Sequence, residues 1–67
     1  MEQLTQMELL QIEELLRSEV QAAKFSQVAA EAVGDETLAG LCREAANLHR
    51  THYEELLQMV QRLHGRP

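Results

Sequence analysis

Three ionisable side chains fall on the apolar sides of two segments that have the periodicity of amphipathic helices. His49 and His52 are three residues apart, so they project from one side of a helix. Glu19 lies near the centre of the apolar arc of the other segment. Imidazole and carboxylate groups bind Zn, Fe and Mn in proteins, and such sites are built inside helical bundles. The pattern therefore predicts either a transition-metal site or a buried ion pair.

One further acidic residue belongs to this set, whereas the signatures of other chemistries are missing. Glu55 follows His52 by three residues, at the edge of the same arc. We predict it as a metal ligand, or as an acceptor that orients an imidazole. The sequence has no nucleophile beside a base, no glycine-rich phosphate loop and no zinc-finger cysteine pairs. We therefore assign no catalytic residue and no organic cofactor.

The elements that position these residues are separated by a single break. Gly34 suits the left-handed residue that closes a helix, and Asp35 suits the N-cap of the next, with Thr37 as an alternative cap. We predict one all-α domain over residues 1–67, with a helix over about 4–33, a turn at 34–36 and a helix over about 36–63. Signals for β-strands are absent from the sequence.

A turn this short makes the two helices antiparallel neighbours and sets their register. If the hairpin folds about Asp35, residues that face each other have numbers that sum to about 70 or 71. Glu19 then faces His52, and His49 lies about one turn away. We also predict that Gly40, opposite the alanines of the segment 29–32, lets the two backbones approach closely.

The apolar arcs are wider than two helices need to cover each other. We therefore predict that two hairpins associate with two-fold symmetry into a four-helix bundle, with a tetramer or ring as the main competitor. Two-fold symmetry would bring two carboxylates and four imidazoles together. The arcs contain, in the first segment, Ile12, Leu15, Leu16, Ala22, Ala23, Ala29, Ala30 and Val33, and in the second, Leu38, Leu41, Ala45, Leu48, Leu56, Met59 and Leu63.

Composition restricts the partners. The chain has 67 residues, a net charge of −5, one Phe, one Tyr and no Trp. An acidic chain without an aromatic platform is not expected to bind nucleic acid or an anionic membrane surface. The single cysteine, Cys42, excludes an internal disulfide, and we find no leader peptide pattern. We expect a cytoplasmic protein whose partner is a second copy of itself.

The arrangement of Glu19 and the His49-Arg50-Thr51-His52 segment resembles half of a ferritin-like site. In that superfamily a Glu on one helix faces a Glu-x-x-His pair on its antiparallel neighbour. Glu19 matches the first carboxylate and His52 matches the histidine, whereas His49 stands in the place of the bridging Glu. The outline, over nearly the whole chain, is similar to the two-helix encapsulated ferritins and to the small ferritin-like proteins of the spore coat protein F type. The resemblance implies a ferritin-like bundle, a metal site at a homodimer interface and a possible association with spores.

Three functions stay open on the sequence alone. The first is a self-associating ferritin-like module whose Glu and His residues bind Fe, Zn or Mn, and an oxygen-reactive metal centre is the only enzyme class that fits. The second is a structural or coat protein, without metal, in which these residues form a buried ion pair. The third is an adaptor hairpin whose apolar face docks a different protein.

Overall fold

The protein forms a helical hairpin in a computed structural model that describes residues 4–64. Helix α1 spans Gln6–Ala32 and helix α2 spans Glu36–His64, and no strand occurs within the described residues. The chain measures about 50 × 16 × 12 Å along its principal axes. The first three and last three residues of the predicted domain, and the side chain of His64, lie outside what the structure describes.

Helix α1 begins with a reciprocal cap that the sequence analysis did not identify. The Glu8 backbone N–H donates to the Thr5 hydroxyl oxygen at 3.1 Å, and the Thr5 backbone N–H donates to the Glu8 carboxylate at 2.8 Å. The bonds from the Thr5 backbone and hydroxyl hold the pKa of Glu8 below its ordinary value. The signal was available, because Thr-x-x-Glu before an apolar run is typical of a capping box.

The turn follows the prediction at Asp35 and departs from it at Gly34. Asp35 caps α2, because its carboxylate accepts from the Leu38 backbone N–H at 2.9 Å. The prediction that Thr37 is an alternative cap was wrong, because Thr37 lies inside α2. The left-handed conformation predicted for Gly34 was also wrong, since no described glycine has a positive φ. The last residue before the turn, Val33, is extended instead, and its N–H donates to the Ala29 carbonyl at 3.0 Å.

The two helices pack along a seam of positions that alternate three and four residues apart, the spacing of an antiparallel coiled coil. Alanines at intervals of seven occupy its most buried positions, Ala23 and Ala30 on α1 and Ala39 and Ala46 on α2. Small side chains there let the helices lie close together. The seam positions, all buried or half-buried, are Leu9, Ile12, Leu16, Glu19, Ala23, Ser26, Ala30 and Val33 on α1, and Ala39, Cys42, Ala46, His49, Tyr53, Leu56, Val60 and Leu63 on α2.

Gly40 does not contribute to the close approach of the helices. A Cβ atom added to Gly40 would meet no neighbouring atom within 4 Å. The close approach predicted there was wrong because Gly40 lies beside the seam, whereas the neighbouring Ala39 lies in it, with 3% of its surface exposed.

Much of the apolar surface predicted for the helices stays uncovered in the hairpin. Phe25, for example, is 77% exposed. The most buried seam positions hold alanine, and many of the large apolar side chains project beside the seam rather than into it. The exposed large apolar residues are Met7, Leu10, Leu15, Phe25, Val28, Leu38, Leu41, Leu48 and Met59. Neither described helix has an apolar stretch of the length and purity needed to cross a bilayer.

Candidate metal centre

The helices place Glu19, His49 and His52 at the middle of the hairpin. Glu19 is the midpoint of α1, and residue 50, the midpoint of α2, lies between the two histidines. Glu19 and His49 occupy the seam itself, whereas His52 projects beside it, three residues further along α2. The site is thus positioned by the packing of the two helices, which fixes both the depth and the level of each side chain.

One carboxylate contacts both imidazoles. Glu19 Oε1 lies 2.6 Å from His49 Nδ1, which is a short hydrogen-bonding distance. Glu19 Oε2 lies 3.5 Å from His52 Nδ1. The register prediction placed His52 directly opposite Glu19, whereas the structure makes His49 the nearer partner. The reason is that His49 lies in the seam and points at α1, while His52 approaches from the side.

The burial of the three groups rises from the open side toward the seam. The side chain of Glu19 is 16% exposed, that of His49 34% and that of His52 44%. The two imidazole rings are 6.3 Å apart between centroids and lie nearly perpendicular, at 83°. The carboxylate is therefore largely withdrawn from water, while solvent and small ions can reach the histidines.

The geometry is close to that of a three-ligand metal site. One ligand atom from each residue can be chosen so that all three lie within 4.8 Å of one another. An ion bound at 2.0–2.2 Å by nitrogen and oxygen atoms in a tetrahedral arrangement keeps its ligands about 3.4 Å apart. The change from the hydrogen-bonded set to a coordinating set thus needs side-chain movements of about an ångström, which the half-buried His52, at the solvent side of the cluster, can supply. Two imidazoles and one carboxylate suit Fe(II), or Zn(II) with a water completing its shell.

The fourth predicted ligand is near the cluster but not part of it. Glu55 is exposed and lines the same groove, of about 390 Å³, as Glu19 and His52. It is not among the three residues whose ligand atoms converge within residues 4–64. Glu55 therefore lines the solvent-exposed groove beside the three residues, not the cluster itself.

A second groove, of about 440 Å³, reaches Glu19 from the other side of the seam. Lys24, Arg50 and Tyr53 line it together with the apolar residues Val20 and Ala23. The Arg50 guanidinium donates to Asn47 at 3.0 Å and to Gln27 on α1 at 3.5 Å. The sequence analysis did not single out Lys24 or Arg50. The signal for them was their spacing, because Lys24 follows the seam residue Ala23 and Arg50 follows the seam residue His49.

Comparisons of the chain with protein-family models, with curated proteins and with solved structures gave no match.

Proposed function

We propose that this protein is a self-associating helical hairpin that binds one transition-metal ion per chain through Glu19, His49 and His52. The observation that carries the proposal is the convergence of two imidazoles and one carboxylate from two helices, with their ligand atoms within 4.8 Å. Exposed clusters of acidic groups are common, but here the carboxylate is 16% exposed and both of its oxygens face an imidazole. Fe, Zn and Mn are the candidate ions.

The proposal keeps the ferritin-like architecture but departs from ferritin-like chemistry. A bridging carboxylate holds two irons together in that superfamily, and His49 stands in its place here. An imidazole ring nitrogen binds one metal ion, so we propose a single ion in each hairpin. Three protein ligands would leave room for water at the ion, and the groove that Glu55 lines would give that water access.

Self-association is supported by the surface that the hairpin leaves uncovered. Large apolar side chains are exposed along both helices, and such surface is typical of a chain that packs against another. The accessible surface of the chain is 5264 Å². A compact monomer of 7.6 kDa would expose about 4,300 Å².

The first test is metal content measured by inductively coupled plasma mass spectrometry, with the mass of the same preparation measured by light scattering. After incubation with Fe(II), Zn(II) and Mn(II) and removal of free ions, we expect about one ion per chain on a dimer or larger oligomer. The variant H49A/H52A should retain none. The matched control is H64A, because residue 64 lies three turns beyond His52, about 18 Å along the helix. Unchanged uptake in H49A/H52A would refute the metal site.

One observation favours a second candidate, a structural protein without metal. The 2.6 Å contact between Glu19 and His49 is already a good hydrogen bond, and it occupies atoms that a metal would need. Such a pair can fix the register of two helices without any ligand. A protein that stays oligomeric and remains empty after incubation with all three ions would support this candidate against the first.

A further inference from the structure

The surface beside the seam on the His52 side, which we name the open face, is the strongest unexplained feature of the hairpin. The groove on this side is lined by Leu15, His52, Glu55 and Met59. Residues seven apart on a helix of this packing lie on the same side, so the other positions of the open face follow from the heptad spacing. Sixteen positions make up the open face: 8, 11, 15, 18, 22, 25, 29 and 32 on α1, and 38, 41, 45, 48, 52, 55, 59 and 62 on α2.

The open face divides at the metal-site level into two halves of different character. The half next to the turn is apolar at every position: Ala22, Phe25, Ala29, Ala32, Leu38, Leu41, Ala45 and Leu48. The half toward the chain ends has only two apolar positions and carries charge: Glu8, Gln11, Leu15, Ser18, His52, Glu55, Met59 and Arg62. Any partner of the open face must match an apolar half at the turn and a polar half at the other end.

A second copy of this chain matches that pattern in one orientation. Two hairpins can stack face to face about a two-fold axis that runs along the helices, which puts their turns at the same end. They can also stack about an axis across the helices, which puts the turns at opposite ends. The first arrangement packs apolar half on apolar half. The second would press Glu55 against the Ala45 level of the other copy, where no group is placed to satisfy its charge.

We propose that two hairpins pair through the open face with their turns at the same end. In this arrangement α2 of one copy lies over α1 of the other. Residues that lie at the same level within one hairpin therefore also lie at the same level across the interface. Arg62 then comes to the level of Glu8 of the second copy, so opposite charges meet in the polar half. The uncovered area fits: the excess over a compact monomer, roughly 1,000 Å², compares with the 800 Å² or so that each partner buries in a stable interface.

This pairing, which rests on the proposed self-association, also brings the two metal sites to the same level. Glu19 and His49 lie in the seam, and the two-fold axis runs parallel to the seam, so one site lies on each side of the axis. Because α2 of each copy lies over α1 of the other, His52 of one copy comes to the level of Glu19 of the second. Glu55 lies on the open face near His52 and is therefore part of the interface.

The decisive experiment measures the distance between two spin labels in the dimer by pulsed electron paramagnetic resonance. Cys42 is replaced in C42A, and the label is placed at G34C, where an added Cβ meets no atom within 4 Å and the backbone is not strained. Turns at the same end put the labels within about 25 Å, since packed helices are 8–10 Å apart. Turns at opposite ends put them more than about 40 Å apart, because the hairpin is some 50 Å long.

Two controls separate the orientation from other effects. A label at T51C, on the outer side of α2 at mid-length, lies at the same level as its mate in both arrangements, so its distance should stay below about 40 Å in either. Charge introduced on the apolar half by L41K should weaken the dimer at least tenfold in light scattering. V28K introduces the same charge at an exposed apolar residue outside the open face and should leave the dimer unchanged.

The outcomes distinguish this inference from the function on which it rests. A chain that is monomeric at every concentration refutes the self-association and the pairing together. A dimer whose G34C labels lie more than about 40 Å apart, as for turns at opposite ends, keeps the self-association and overturns the same-end pairing. A dimer that L41K and V28K weaken equally also overturns it, because the interface would then not lie on the open face.

Discussion

Two stretches of the same seam hold α1 and α2 together in different ways. Toward the turn, alanines at intervals of seven set a close packing distance, and Ala46 has no exposed surface at all. At mid-length, a carboxylate and an imidazole face each other across the seam at 2.6 Å. The alanine stretch depends on the absence of side-chain volume, whereas the Glu19–His49 stretch depends on paired polar atoms. Changes of volume should therefore destabilise the first, and changes of charge or ligand should act on the second.

The largest effect on stability is expected where the helices are closest. Replacing Ala46 with leucine adds three carbon atoms at a site without free space, so A46L should lower the free energy of unfolding by about 1–3 kcal/mol. Urea denaturation followed by circular dichroism measures this change. The control T51L places leucine on the outer side of the same helix and should change stability by less than about 0.5 kcal/mol. Equal losses in the two variants would show that the alanine packing is not what limits the seam.

The next effect concerns the Glu–His stretch and should appear only with metal present. Each imidazole supplies one of the three proposed protein ligands, so losing one of them weakens the site. We expect H52A to lower the affinity of the site for Zn(II) by roughly tenfold or more. Competition with a chromophoric chelator measures this. An affinity that H52A leaves unchanged would indicate that the ion is held elsewhere.

A smaller effect is expected at the start of α1, where the cap holds the helix without any tertiary contact. T5A removes the acceptor for the Glu8 N–H and should cost about 1 kcal/mol at neutral pH, read from thermal unfolding. T51A is the matched control, because alanine in an exposed helix interior keeps or raises stability.

The same cap predicts a pH dependence. The folded-state pKa of Glu8 is lowered, so its contribution is present above the ordinary carboxyl pKa and is lost as the pH falls through the folded value. The difference between wild type and T5A should therefore shrink in acid. A difference that is constant from neutral pH down to about pH 3, below the ordinary glutamate range, would contradict the reciprocal cap.

The sequence predicted the hairpin because its helical periodicity and its single break, with Asp35 as a cap, are local features. It also predicted the uncovered apolar surface, since the width of each arc can be read from one helix alone. It did not predict the conformation of Gly34, because a helix can close through an extended residue such as Val33 as well as through a left-handed one.

The details of the candidate site depended on information that helical periodicity does not contain. A register sum fixes which levels meet but not the rotation of each helix about its axis. That rotation put His49 rather than His52 nearest to Glu19, and it moved Leu48 from the predicted apolar arc to the exposed surface beside the seam. The packing of Ala39 and Ala46 decided the rotation, because the smallest side chains allow the closest approach.

The smallest expected effect is also the sharpest test of the comparison between the two stretches. In the triple variant E19L/H49L/H52L, apolar groups of similar size replace every member of the polar cluster, so no polar atom is left without a partner. Exchanges of this kind are often neutral or stabilising, and we expect the melting temperature of the metal-free protein to stay the same or rise. The single variant E19L should be less stable than the triple, because it leaves two imidazoles facing leucine. A triple variant that melts well below both wild type and E19L would mean that the Glu19–His49 pair stabilises the hairpin itself. An unchanged melting temperature, together with loss of metal uptake, would instead mean that the polar stretch is kept for binding, while apolar packing along the seam is enough to hold the helices together.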